Sequence, residues 1–153
     1  MENNASNGGK LIQAYQIRNK LNAINTFTNI TAFKRSDTLP TDANKVEIQA
    51  TNSLYKVYAW WDGTEVYWYC DEDEHPLLDK DLAKFFQNCN KLQDISGLED
   101  FDSSNVEYIQ GLLQNAVLIN SLEVFEKWRI NKVSRVEYAF AKTGIINLNG
   151  IEK

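Results

Sequence analysis

The chain has 153 residues, 43% hydrophobic and 24% charged, the composition of an ordinary folded domain with a real core rather than of a disordered tail. It contains no run of about 18 apolar residues, so no segment is suited to cross a membrane as a helix. The net charge of −5 is concentrated between Asp62 and Asp102, where twelve acids meet three lysines; such a band repels a phosphate backbone, argues against direct nucleic-acid binding and suits a cationic partner.

Residues 1–9, "MENNASNGG", lack a basic stretch leading into an apolar one, so they do not read as a secretory signal and are expected as a flexible lead. Residues 10–24 place Leu11, Ala14, Tyr15, Arg18 and Leu21 at helical spacing and predict a helix. Two short alternating runs, 29–36 and 44–51, read as strands separated by the turn signal "DTLPTD".

The strongest local signal is "VYAWWDGTEVYWYC", residues 57–70. Asp62-Gly63 between two alternating runs predicts a hairpin with a type I′ turn, pairing Trp61 with Thr64, Ala59 with Val66 and Val57 with Trp68. One face would then carry those residues and Cys70. The other carries Lys56, Tyr58, Trp60, Glu65, Tyr67 and Tyr69, either covered by the N-terminal helix or exposed for recognition.

Beyond residue 81 the sequence matches itself at an offset of 27: Phe86 aligns with Leu113 and Phe140, Leu92 with Ile119 and Ile146, Phe101 with Trp128, and Gln87-Asn88 with Gln114-Asn115. A fixed period of this size signals stacked units. "LQDISGLEDF" and "INSLEVFEKW" space apolar residues three apart as in a short repeat strand; "SSNVEYIQGLL" and "INKVSRVEYAF" read as short helices, the first capped by Ser103 or Ser104. The expected fold is therefore α+β: a small N-terminal module at 10–80, one helix with an antiparallel sheet, capping a short leucine-rich-repeat-like solenoid at 81–153 of about two and a half units, the last truncated.

"FFQNCNKLQDISGLEDFDSSNVEYIQGLLQN" and "NKVSRVEYAFAKT" resemble the units of BspA-type leucine-rich-repeat surface proteins, with Ile109, Leu112, Val136 and Ala139 standing where the family has methionines. The aromatic hairpin is similar to the N-terminal segment that often precedes such arrays. The resemblance covers about residues 50–150 and implies a non-enzymatic, cofactor-free protein- or glycan-binding module at a bacterial surface or in host interaction. The absence of a signal in the chain keeps a cytoplasmic or virion setting open. A mobile-element protein is the alternative, either a virion attachment component or a small acidic inhibitor that occludes a basic site; a hydrolase ranks third.

Three chemistries compete at "CDEDEHP", residues 70–76. The ligand atoms could serve a weak calcium site, but no metal-binding loop pattern is present and a solvated connector is the simpler reading. His75 has carboxylates beside it but no identifiable nucleophile. Recognition remains, with Tyr58, Trp60, Glu65, Tyr67, Tyr69, Asp71, Glu72, Asp73 and Glu74 as candidate binding residues for a basic protein or a carbohydrate. Trp128, Arg129, Lys132 and Arg135 form a small basic contrast, and Cys70 and Cys89 make neither a disulfide framework nor a ligand set, Cys89 being expected to pack as a small hydrophobe.

Overall fold

The computed structural model describes residues 4–145. Its regular elements are one helix, α1 (Ala14–Asn22), and four strands, β1 (Ala32–Arg35), β2 (Val46–Glu47), β3 (Tyr58–Asp62) and β4 (Glu65–Tyr69). The strands form one open sheet in the order β1-β4-β3-β2. It is mixed rather than antiparallel, because β1 runs parallel to β4 while β2 and β4 both run antiparallel to β3.

α1 is shorter than the periodicity suggests. Its first expected turn is used as extended backbone instead: the Leu11 amide donates to the Leu77 carbonyl and the Ile12 amide to that of Ile48, both at 2.9 Å. Ala14, Ile17 and Leu21 face inward, whereas Tyr15 is exposed. In the hairpin, Trp61 pairs with Val66 and Ala59 with Trp68, so the loop is Gly63-Thr64, not Asp62-Gly63. Gly63 has φ +62° and Thr64 is not in the left-handed region, which is the pattern of a II′ turn with glycine first. The slip is two residues, an even number, so the faces assigned from sequence are kept: Val57, Ala59, Val66 and Trp68 are all buried.

The expected leucine-rich-repeat solenoid is not formed. Among the described residues beyond 81 there are no further strands or α-helices, only turns, isolated bridges and two 3₁₀ turns at Ser96–Leu98 and Glu123–Phe125. Two local causes are visible. The expected helices contain Gly111 at φ +64° and Tyr138 at φ +61°, and a left-handed residue stops an α-helix; Ser103 and Ser104 therefore cap nothing. The three-residue apolar spacing, Ile95-Leu98 and Leu122-Phe125, is the repeat of a 3₁₀ turn, in which side chains i and i+3 fall on one side. The 27-residue offset corresponds to lateral backbone hydrogen bonds between turns, such as Phe86 N–H to Leu112 O at 2.9 Å and Leu113 N–H to Ala139 O at 2.7 Å. The aligned Ile146 lies outside the described residues.

Sheet and turns share one core. Trp68 is fully buried, stacks on Phe101 at 4.5 Å and donates its indole N–H to the Gly97 carbonyl at 2.8 Å. Phe33 sits edge-on to Phe85 and Phe86. Gly97 packs so closely on β1 that an added Cβ would lie 2.9 Å from the Lys34 Cα. Trp68→Ala is expected to cost about 3–5 kcal/mol in urea unfolding. Gly97→Ala should cost about 1–3 kcal/mol, since the atom it meets is backbone and cannot swing away; an unchanged midpoint for either would contradict this packing.

Candidate functional site

The sheet's outer face is assembled by alternation along the strands. β3 contributes Tyr58 and Trp60, β4 contributes Glu65, Tyr67 and Tyr69, and the paired neighbours add Lys34 from β1 and Glu47 from β2. α1 packs on the opposite face, where the Trp61 indole donates to the Leu21 carbonyl at 2.9 Å, so this face is not covered by the helix. Trp60 is only 4% exposed and stacks with Tyr67 at 6.1 Å, so it is a structural ring and not a contact surface. Tyr58, Tyr67 and Tyr69 are half-buried.

Two of these phenols are already committed. Tyr67 donates to Glu65 Oε1 at 2.8 Å and Tyr69 to Asp71 Oδ1 at 2.6 Å. Those hydrogen bonds are the first cause of the raised pKa of each tyrosine, followed by burial. Glu65 also pairs with Lys34 at 3.4 Å, at a partly exposed site where such a pair contributes little.

The acidic run divides. Asp71, Glu72 and Glu74 are exposed, Glu74 reaching Arg35 at 3.9 Å. Asp73, grouped with them from sequence, is 1% exposed and turned inward. Its Oδ2 accepts from the Ser6 hydroxyl and from the Asn7 and Gly9 amides at 2.7–3.0 Å, and its Oδ1 accepts from the His75 amide at 2.9 Å. Residues 6–9, expected as a flexible lead, are thus tied to the body of the molecule, with the Ser6 amide also donating to Asp102 Oδ2 at 2.9 Å. No local pattern marks this in the sequence, because the partners are 64 to 67 positions apart.

His75 is likewise engaged: its Nδ1 lies 2.5 Å from the Asp100 carbonyl oxygen, which fixes that nitrogen as the protonated one. Among the described residues no group of three or more His, Cys, Asp or Glu side chains is arranged to hold a metal ion.

Two concavities accompany these residues. A hollow of about 370 Å³ at the edge of the outer face is lined by Leu39, Leu54, Tyr58, Tyr69, Asp71 and Glu72, among others. Leu39 and Leu54 come from loops, and only the fold brings them to the rings. A broader cleft of about 520 Å³ lies between the two 3₁₀ turns, with Asp94, Glu99, Glu123 and Glu126 on its walls. Its signal in the sequence is the stretch 92–126, which holds seven acids and no Lys or Arg. The basic contrast expected at Trp128, Arg129, Lys132 and Arg135 is partly internal, since Trp128 donates to the Leu98 carbonyl and Arg135 pairs with Glu137 at 3.2 Å.

Asp73→Ala is expected to cost about 3 kcal/mol, because buried donors lose their acceptor, and to speed amide exchange at residues 6–9; unchanged exchange there would show that the carboxylate does not hold the segment. Both cysteines are free and buried, and burial pushes the Cys89 thiol up to about 12. A raised folded pKa means that stability from the neutral thiol is present below the unfolded value, near 9.0, and is lost as pH rises towards 12. Iodoacetamide at pH 8 should therefore leave Cys89 unmodified in the native protein and alkylate it in urea, as read by mass spectrometry. No family model, curated protein or solved structure matches the chain.

Proposed function

We propose that the chain is a non-enzymatic protein-binding module that takes a basic side chain of its partner into the hollow between Tyr58, Tyr69, Asp71 and Glu72. The observation that carries this reading is the juxtaposition, in one space of about 370 Å³, of the rings of Tyr55, Tyr58 and Tyr69 with two exposed carboxylates; Lys56, which also lines it, is paired with Glu47 at 3.4 Å. Rings and carboxylates together favour a guanidinium or ammonium group, the rings through their electron-rich faces and the acids through charge-assisted hydrogen bonds. Tyr69 holds Asp71 through its hydroxyl, so one acceptor is oriented before a ligand arrives.

A protein is favoured over a glycan because the Tyr67 and Tyr69 hydroxyls, which would donate to sugar oxygens, already donate to Glu65 and Asp71. The setting we propose is the one the sequence resemblance implies, a bacterial surface or a host-interaction protein; an acidic inhibitor that covers a basic site would use the same chemistry. The absence of catalysis is part of the proposal.

The test is a biosensor titration with short Arg- and Lys-rich peptides against Glu-rich controls. Binding should be confined to the basic series and should weaken steeply with salt. Asp71→Lys with Glu72→Lys should lower affinity tenfold or more, whereas Glu123→Lys, an exposed acid that does not line the hollow, should change it less than twofold. Equal loss from both changes would reduce the hollow to general charge attraction.

A further inference from the structure

Three turn segments lie side by side, and along each the amides at alternate positions donate to the next segment; at the start of each pair the bond runs back, from the Glu107 and Tyr108 amides to the Lys80 carbonyl and from the Ser134 and Arg135 amides to the Glu107 carbonyl, at 2.8–3.3 Å. The amides of Leu82, Lys84, Phe86 and Asn88 donate to the carbonyls of Tyr108, Gln110, Leu112 and Gln114, at 2.8–2.9 Å. In turn the amides of Ile109, Gly111, Leu113 and Asn115 donate to the carbonyls of Arg135, Glu137, Ala139 and Ala141, at 2.7–3.0 Å. The third segment has the same shape, with left-handed residues at Tyr138 and Lys142 matching Gly111 and Asn115, and Lys84 and Asn88. Among the described residues no acceptor meets its corresponding amides, those of Val136, Tyr138, Phe140 and Lys142.

The opposite edge is largely covered. The Ala14 amide donates to the Asp81 carbonyl, and Arg18 Nη1 donates to the carbonyls of Lys84, Phe85 and Gln87, at 2.8–3.4 Å. Beside the open edge lies an apolar cavity of about 360 Å³, walled by Val133, Val136 and Phe140 together with Phe125, Trp128 and the exposed Ile130. The surrounding stretch, 127–142, carries five basic residues against one acid, in a chain of net charge −5.

We propose that the edge formed by residues 136–142 is a docking surface for an extended peptide segment of a protein partner, one that carries a bulky apolar side chain flanked by acidic residues. A row of donors at alternate positions calls for a partner backbone that presents alternate carbonyls, as the second and third segments do for the first and second. The apolar side chain enters the cavity, and the acids meet Lys132, Arg135 and Lys142. A second copy of this chain fits poorly: two such edges would set four amides against four amides with only the Ser134 carbonyl of each to accept, and the carbonyl side of the first segment is covered by α1 and Arg18. This surface is separate from the hollow at Tyr58 and Tyr69, and neither proposal depends on the other.

The probe is a set of synthetic eight-residue peptides, each with one Leu, Phe or Trp between aspartates, added to the full chain and followed by amide hydrogen exchange. Saturable slowing of exchange at residues 136–142 by tenfold or more is expected, with no change at Tyr58–Tyr69. The exposed pair Lys132→Glu and Lys142→Glu should weaken binding at least tenfold without shifting the thermal midpoint, a readout that unfolding would not mimic. Equal protection by lysine-flanked peptides would overturn the acidic partner. Protection that rises with protein concentration in the absence of peptide would assign the edge to a second copy, and no protection across the set would remove the docking surface.

Discussion

The closeness of Gly97 to β1 is the constraint on which the rest of the molecule depends. Only a residue without a side chain lets the first 3₁₀ turn press against the Lys34 backbone, and that approach places the Gly97 carbonyl where the Trp68 indole can reach it. Sheet and turns are thereby joined at one point by backbone contact, a buried hydrogen bond and the stack of Trp68 on Phe101. The Phe33 amide adds a bond to the Asp94 carbonyl at 2.7 Å, so β1 serves β4 on one side and the turns on the other. A strand used on both edges makes the two halves of the chain one cooperative body rather than two units joined by a linker.

Asp73 plays a corresponding part at the start of the chain. A carboxylate that accepts several amide and hydroxyl donors organises irregular backbone that has no helix or sheet to pair with. It divides an acidic run into exposed charges with freedom to meet a partner and one interior charge that holds residues 6–9 in place. Binding chemistry and folding chemistry thus occupy adjacent positions in the sequence.

Local periodicity is readable wherever the pattern and its physical cause lie within a few residues. The buried face of the hairpin follows from alternation, and α1 from the spacing of Ala14, Ile17 and Leu21. The loop position does not, because Asp62-Gly63 and Gly63-Thr64 both offer a glycine and the choice rests on which residues pair across the sheet. Beyond residue 81 the 27-residue self-match is visible but misleads about local structure: three-residue spacing fits a repeat strand as well as a 3₁₀ turn, and left-handed φ at Tyr138 or Lys142 has no signature in residues that usually avoid it. Of the candidate site, the exposed acids Asp71 and Glu72 and the rings Tyr58 and Tyr69 are legible, whereas the burial of Trp60 and Asp73 and the arrival of Leu39 and Leu54 depend on contacts between distant segments.

The guanidinium of Arg18 has a consequence for the state of the molecule in solution. It donates to the Phe85 and Gln87 carbonyls, which could receive donors from a neighbour, and to that of Lys84, while lying over Phe27 at 5.2 Å from the ring centre. A chain that has one edge of donors and one edge of bare acceptors is self-complementary in the head-to-tail sense, and nothing in such a contact closes after two or three copies. Arg18, together with the α1 amide of Ala14, covers carbonyls on the side where such a contact would begin, and so stands against open-ended stacking.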